Sequence, residues 1–255
     1  ILAMDLSHGG HLTHGSPVTR SAQLYNFVPY KMKDPATGEI DYDEIRRLAR
    51  KYQPKIILAG FSAYPRELNW AKFAEIGREI SGCLLMADVA HIAGLIAGGV
   101  AANPLDHGFH VMTTTTHKTL RGPRGGLILS MGTVSSPLKK PEKTLENIPT
   151  LIDRAVFPGA QGGPHMNTIA AKAVAFGEAL QPEFAEYARN VVTNAAQLAD
   201  ELRKRGFVLV TGGTSNHLIL ADVHQSFGID GKVAERALDQ IGLTLNANAV
   251  PDDPL

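Results

Sequence analysis

The run TTTTHKT (residues 113–119) ends a β-branched stretch on a lysine, and CLLMAD (83–88) ends an apolar stretch on an aspartate. In open α/β sheets ligands bind at the carboxyl ends of strands, so a carboxylate closing one strand and an amine closing the next would face one crevice with opposite charges. A strand-end lysine is usually just a solvated charge. The surroundings of Lys118 argue against that: Thr115, Thr116 and His117 precede it, and TLRGPRGG (119–126) follows with Arg121, Arg124 and three glycines. Cationic neighbours in a cleft disfavour an ammonium and leave a neutral, nucleophilic amine able to form a Schiff base. That chemistry points to a carbonyl cofactor. Pyridoxal phosphate uses such a lysine and needs a carboxylate against its pyridine nitrogen, the role open to Asp88. Asp88 can also serve as the N-cap of a following helix, and the two roles are compatible.

A second chemical stretch, SHGGHLTHGS (7–16), spaces His8, His11 and His14 three residues apart among small residues. Three imidazoles in one loop could serve a metal hydrolase. Metal ligands need fixed geometry and orienting partners, however, and no cysteine or acidic residue accompanies them, so no metal is expected.

The elements that must position these groups can be read from periodicity. DYDEIRRLARKY (41–52) offers Asp41 as N-cap and a face of Ile45, Leu48, Ala49 and Tyr52, and WAKFAEIGREISG (70–82) repeats the pattern to a C-terminal Gly82. KIILAG (55–60) and CLLMAD are continuous apolar runs of the kind covered on both faces. A small-residue helix over 91–98 follows, then strands HVMTTTT (110–116) and GLILS (126–130). Strands alternating with helices predict an α/β fold with a largely parallel sheet. The glycines and prolines of FPGAQGGP (157–164) break regular structure, and two long helices follow, the second with Phe184, Tyr187, Val191, Ala195, Leu198 and Leu202 along its stripe. Strands FVLV, HLILADV and LTLN with helix GKVAERALDQIG then predict a smaller α+β domain. The expected domains are therefore 1–165 and 166–255, and SSPLKKPEKTLENIP (135–149) is the linker-like segment.

Composition limits the function. Of 255 residues, 44% are hydrophobic, and 25 Lys and Arg balance 25 Asp and Glu, so no global field attracts nucleic acid or an anionic membrane. The most apolar stretch, HIAGLIAGGVAANPL, is short for a membrane span. The single cysteine, Cys83, fits a buried thiol in a reducing, cytoplasmic compartment. Because the chain opens on Ile1 and stops at VPDDPL without completing an element, it is expected to be a piece of a longer protein.

The stretches LSHGGHLTHGS, ADVAHIAGLIAGG, TTTTHKTLRGPRGG and FPGAQGGP, continuing through GGTSNHLILADV and NANAVPDDP, together resemble the serine hydroxymethyltransferase family. The resemblance implies a fold-type I, aspartate-aminotransferase-like large domain with a mostly parallel sheet and part of a smaller α+β domain. It implies reversible conversion of serine and tetrahydrofolate to glycine and 5,10-methylenetetrahydrofolate with pyridoxal 5'-phosphate. On that basis Lys118 is the Schiff-base lysine and Asp88 the partner of the ring nitrogen, while His11 stacks on the ring. His91 and Ser62 lie near the phenolic oxygen, and His117 and Thr115 line the pocket beside the lysine. Arg124 shapes the turn. Gly162 and Gly163 reach the cofactor phosphate of a neighbouring subunit through backbone amides, which implies a homodimer, or a tetramer, with shared active sites. Ala160 stands where that loop often has glycine. The backbone around Leu6, Gly10 and Leu12 is implied to contact folate; His8 and His14 receive no role.

The family pattern also includes an amino-terminal segment with an active-site tyrosine, glutamate and serine, and a later arginine that clamps the substrate carboxylate. None of these is matched here, so a polypeptide of these residues alone is expected to be inactive or nearly so. Two alternatives remain: another enzyme of the same fold that breaks a Cα–Cβ bond, such as threonine aldolase, and a non-catalytic fragment.

Overall fold

A computed structural model describes residues 1–132 and 142–253, so the linker-like segment lies outside the described residues as far as 141. In chain order the elements are β1 (Leu2–Met4), α1 (Arg20–Leu24), β2 (Val28–Tyr30), β3 (Met32–Asp34), β4 (Glu39–Ile40), α2 (Tyr42–Tyr52), β5 (Ile56–Gly60), α3 (Trp70–Arg78), β6 (Leu84–Asp88), α4 (Ala93–Ala97), β7 (Val111–Thr115) and β8 (Gly126–Ser130). They continue as α5 (Ile148–Arg154), α6 (Met166–Ala179), α7 (Pro182–Lys204), β9 (Val208–Leu209), β10 (Ala221–Asp222), α8 (Val223–Phe227) and α9 (Gly231–Gln240). Contacts divide the chain into two discontinuous units: Ile1, Arg46–Ala59 and Asn69–Ala188 form the first, and Leu2–Ile45, Gly60–Leu68 and Arg189–Leu255 the second. Among the described residues no helix is long and apolar enough to cross a membrane.

In the first unit the strands are neighbours in the order β5-β6-β7-β8. β6 and β7 are parallel, with Asp88 opposite Thr113, so their carboxyl ends lie on one edge. β8 then returns antiparallel, pairing Gly126 with Thr115. The turn between them, residues 116–125, is thereby held on the edge where Asp88 ends β6.

Helix α3 starts on Asn69, whose side chain accepts the Lys72 N–H at 3.1 Å, and buries Trp70, Phe73, Ala74 and Ile76. Trp70 meets Phe109 edge-on at 5.4 Å. The helix ends at Arg78, a turn before the expected Gly82, which has φ +69° and instead shapes the bend into β6. Helix α2 begins as expected, with Asp41 accepting the Glu44 N–H at 2.9 Å. Ile45, Leu48 and Ala49 are buried, but Tyr52 is half exposed at the helix end. In α7 the buried positions are Phe184, Ala188, Ala195 and Ala199, while Leu198 is 55% exposed. The stripe is therefore turned from the expected one, because alanines allow closer packing than the larger residues that define the sequence pattern.

In the second unit β1 and β2 are parallel, and the pairs β3/β4 and β9/β10 are antiparallel. The predicted strands FVLV and HLILADV shrink to Val208–Leu209 and Ala221–Asp222. LTLN forms no strand: Leu243 and Leu245 are exposed, so nothing buries an apolar face there. Asp222 instead caps the unforeseen helix α8 through the Gln225 N–H at 2.8 Å.

Candidate active site

The lysine lies just past β7. Lys118 Nζ is 2.9 Å from His91 Nε2, so an ammonium there donates to an imidazole whose proton is on Nδ1. Burial lowers the Lys118 amine from its ordinary value, and the Asp88 carboxylate opposes this by favouring the charged form. The cause expected from the sequence is a different one. Arg121 places its guanidinium 4.3 Å from the Tyr187 ring centroid and 5.2 Å from that of Phe184, and both Arg121 and Arg124 are exposed. Desolvation, rather than neighbouring cations, therefore lowers this amine.

Asp88 Oδ1 accepts the Ala90 N–H at 3.1 Å, closing a turn, whereas α4 starts only after Ile92. Asp88 is thus not that helix's N-cap. The Val89 N–H donates to Thr113 O at 2.9 Å, joining the two strand ends. Thr119, to which the sequence assigns no role, is the bracket between the lysine and His91. Its hydroxyl donates to His91 O at 2.9 Å and accepts the Gly94 N–H at 2.9 Å. Gly94 permits this closeness, since a Cβ there would overlap Thr119 O. A threonine directly after the lysine is the available signal.

The 116–125 turn is tied to itself. Thr116 Oγ1 donates to Pro123 O at 2.6 Å, the Gly122 N–H donates to Thr116 O at 2.7 Å, and His117 Nδ1 accepts the Gly125 N–H at 3.4 Å. Thr115 Oγ1 is buried with no partner among the described residues, a cost that a polar ligand atom would relieve. An amine with its charge disfavoured, a nearby carboxylate and an unsatisfied hydroxyl form a donor set that fits a carbonyl cofactor such as pyridoxal phosphate. By contrast, Gly162 and Gly163 are exposed and a Cβ on either would meet nothing within 4 Å.

The histidine loop belongs to the second unit. Each imidazole accepts a backbone N–H at Nδ1: His8 from Met32 at 3.3 Å, His11 from Thr13 at 3.1 Å and His14 from His11 at 3.3 Å. An accepting Nδ1 places the proton of each neutral ring on Nε2. Among the described residues no group of three or more His, Cys, Asp or Glu side chains could hold a metal ion. Gly9 O accepts the Ser62 and Ala63 N–H groups at 2.8 and 3.1 Å, so the loop and the Ser62 segment are laced together. Gly10 is required by its neighbours, as a Cβ would overlap Met4 O. Leu6 is half-buried and Leu12 is 48% exposed.

The Ser62 segment is anchored by residues that carry no chemical signature in the sequence. Tyr64 donates to Gly38 O at 2.6 Å, and the buried Asn216 amide donates to Tyr64 O at 3.2 Å. The Ser215 N–H donates to Pro65 O at 2.9 Å, and Arg66 donates to Thr211. The signal for these is GGTSNH, which the sequence offers only as part of a longer resemblance. A family model for serine hydroxymethyltransferase matches residues 1–255, and the chain belongs to that family, with its fold-type I α/β architecture and its pyridoxal-phosphate-dependent hydroxymethyl transfer between serine and glycine.

Proposed function

We propose that the enzyme of which this chain forms part transfers the hydroxymethyl group of serine to tetrahydrofolate, giving glycine and 5,10-methylenetetrahydrofolate, with Lys118 of this chain holding pyridoxal phosphate. The observation that carries the reading is the Lys118 amine, 2.9 Å from His91 Nε2 and lowered by burial. When bound, the cofactor supplies an electron sink for the bond broken at the amino-acid α-carbon. Lys118 would hold the cofactor through its amine, and His91 can take up or return a proton at Nζ. Asp88 holds a proton on the pyridine nitrogen, a task suited to a carboxylate at a strand end. His117 and Thr115 line the pocket beside the lysine, and His91 and Ser62 serve the phenolic oxygen. His11 stacks on the ring, with Gly10 allowing close approach, and folate meets the backbone of Leu6, Gly10 and Leu12.

The remaining parts of the proposal concern assembly. Gly162 and Gly163 offer their N–H groups to the phosphate of a neighbouring subunit in a homodimer or tetramer, and the compartment is the cytoplasm. The division into a cofactor domain (1–165) and a smaller domain (166–255) goes with this reading, as does low activity of these residues by themselves. Three measurements test it: a visible absorbance band on adding pyridoxal phosphate, its loss on borohydride reduction, and its absence in Lys118→Ala. A band that survives Lys118→Ala refutes the role of the lysine. Threonine cleavage outpacing serine turnover in the presence of tetrahydrofolate would instead favour the aldolase alternative.

A further inference from the structure

The ring of His8 takes no part in the chemistry above, yet it joins three segments of the second unit. It is 2% exposed, accepts the Met32 N–H at Nδ1 (3.3 Å) and directs Nε2 at Asp252 Oδ1 (3.2 Å). Because the Met32 amide occupies Nδ1, the neutral ring must carry its proton on Nε2 and donate it to the carboxylate. The same Oδ1 lies 3.2 Å from Lys31 Nζ. His8 is directly followed by Gly9, whose carbonyl holds Ser62 and Ala63, and by Gly10 and His11. The backbone around Asp252 is shaped for this contact. The Asp253 N–H donates to Val250 O at 3.1 Å, closing a turn with Pro251 second and Asp252 third, and Asp252 has φ +64°. That position favours glycine; an aspartate there accepts a less favourable backbone while presenting its carboxylate to His8.

We infer that His8 and Asp252 are positioning residues that hold the 6–14 loop in place by tying it to the start of β3 and to the 250–253 turn. The inference deepens the proposed function, because it rests on the reading that this loop receives folate at Leu6, Gly10 and Leu12. A loop pinned at His8 presents those backbone groups in one arrangement before folate arrives; an unpinned loop must be ordered by the ligand, which weakens binding without altering the reacting groups.

The test compares Asp252→Gly with Asp252→Asn in the intact protein. Glycine suits the left-handed turn and removes the acceptor, so loss of folding does not confound the result. Asparagine keeps an acceptor in the same place. For Asp252→Gly, amide hydrogen exchange of residues 7–14 without folate should quicken about two- to fivefold, the scale of a contact whose carboxylate is 66% exposed. The apparent KM for tetrahydrofolate should rise by about the same factor with kcat nearly unchanged, and Asp252→Asn should restore most of both. Exchange at the wild-type rate in Asp252→Gly overturns the tie, whatever the KM. Faster exchange with an unchanged KM supports the tie and overturns the folate reading of the loop.

Discussion

The first unit contains two glycine-rich segments that behave in opposite ways. Around Lys118 two glycines are demanded by this chain's own packing: a Cβ on Gly122 would lie 2.8 Å from Thr116 O, and one on Gly94 would overlap Thr119 O. In FPGAQGGP every residue from 157 to 164 is exposed, and Phe157 is 61% exposed. Gly159 there approaches Arg154 O, but Gly162 and Gly163 approach nothing. The lysine turn is thus shaped from within, whereas Gly162 and Gly163 answer no contact inside the unit. A methyl added to a glycine of the first kind should be read out by stability, and one added to Gly162 or Gly163 should not.

Gly94→Ala should break the first segment most severely. The added methyl would meet the Thr119–Leu120 backbone, which cannot yield as a side-chain tip can, so about 3 kcal/mol of stability should be lost, the upper end for overpacking. Denaturant unfolding measures this, and a midpoint equal to wild type would show that α4 is not pressed against residues 119–120. Thr119→Val keeps the volume but strips the hydroxyl from between His91 O and the Gly94 N–H, leaving two backbone groups without it. The expected loss is about 1–3 kcal/mol, with His91 released from its place beside Lys118. A stable Thr119→Val with unaltered Lys118 reactivity would mean that the bracket positions nothing.

Charge at the same segment gives a pH prediction. Burial keeps the Lys118 pKa below its unfolded value, so the native chain holds fewer protons than the unfolded chain between the two values. Stability attributable to this group therefore rises with pH across that window, and the burial penalty is fully present below the native pKa. Asp88 favours the ammonium, so Asp88→Asn should lower the pKa further and extend the window to lower pH. The pH dependence of Lys118 acylation, followed by peptide mass mapping, tests this. An unshifted or raised midpoint in Asp88→Asn would show that Asp88 does not act on the amine.

How much of this is legible in the sequence depends on what each feature requires. Asp88 can be read because a continuous apolar run must leave the core where its first charge appears, and the parallel register of β6 and β7 puts the turn that carries Lys118, just past the Thr115 end of β7, on the same edge. The cause of the lowered Lys118 pKa cannot. Composition near the lysine counts Arg121 as a neighbour, while the fold turns it onto Phe184 and Tyr187, more than sixty positions away in sequence. Thr119 is equally hidden, since its value lies in meeting two backbone groups, His91 O and the Gly94 N–H, that no side-chain pattern records. In the histidine loop the spacing singles out three imidazoles, but each ring's backbone donor, especially Met32 for His8, depends on how the chain returns. LTLN fails because alternation without a surface to cover does not make a strand.

The smallest effect on stability separates the two segments most cleanly. Gly162→Ala and Gly163→Ala add a methyl where nothing lies within 4 Å, and neither glycine has a left-handed φ, so each should change unfolding stability by less than about 0.5 kcal/mol. Gly122→Ala, in the other segment, should cost about 1–3 kcal/mol because its methyl would meet Thr116 O. If Gly162 and Gly163 give their N–H groups to a cofactor phosphate in an adjoining subunit, the methyls act only there. Retention of pyridoxal phosphate during gel filtration should then fall while the unfolding midpoint stays put. A destabilised Gly162→Ala would mean that the loop is packed by its own unit after all. Unchanged cofactor retention in both variants would remove the phosphate role and leave the openness of this segment without a functional reason.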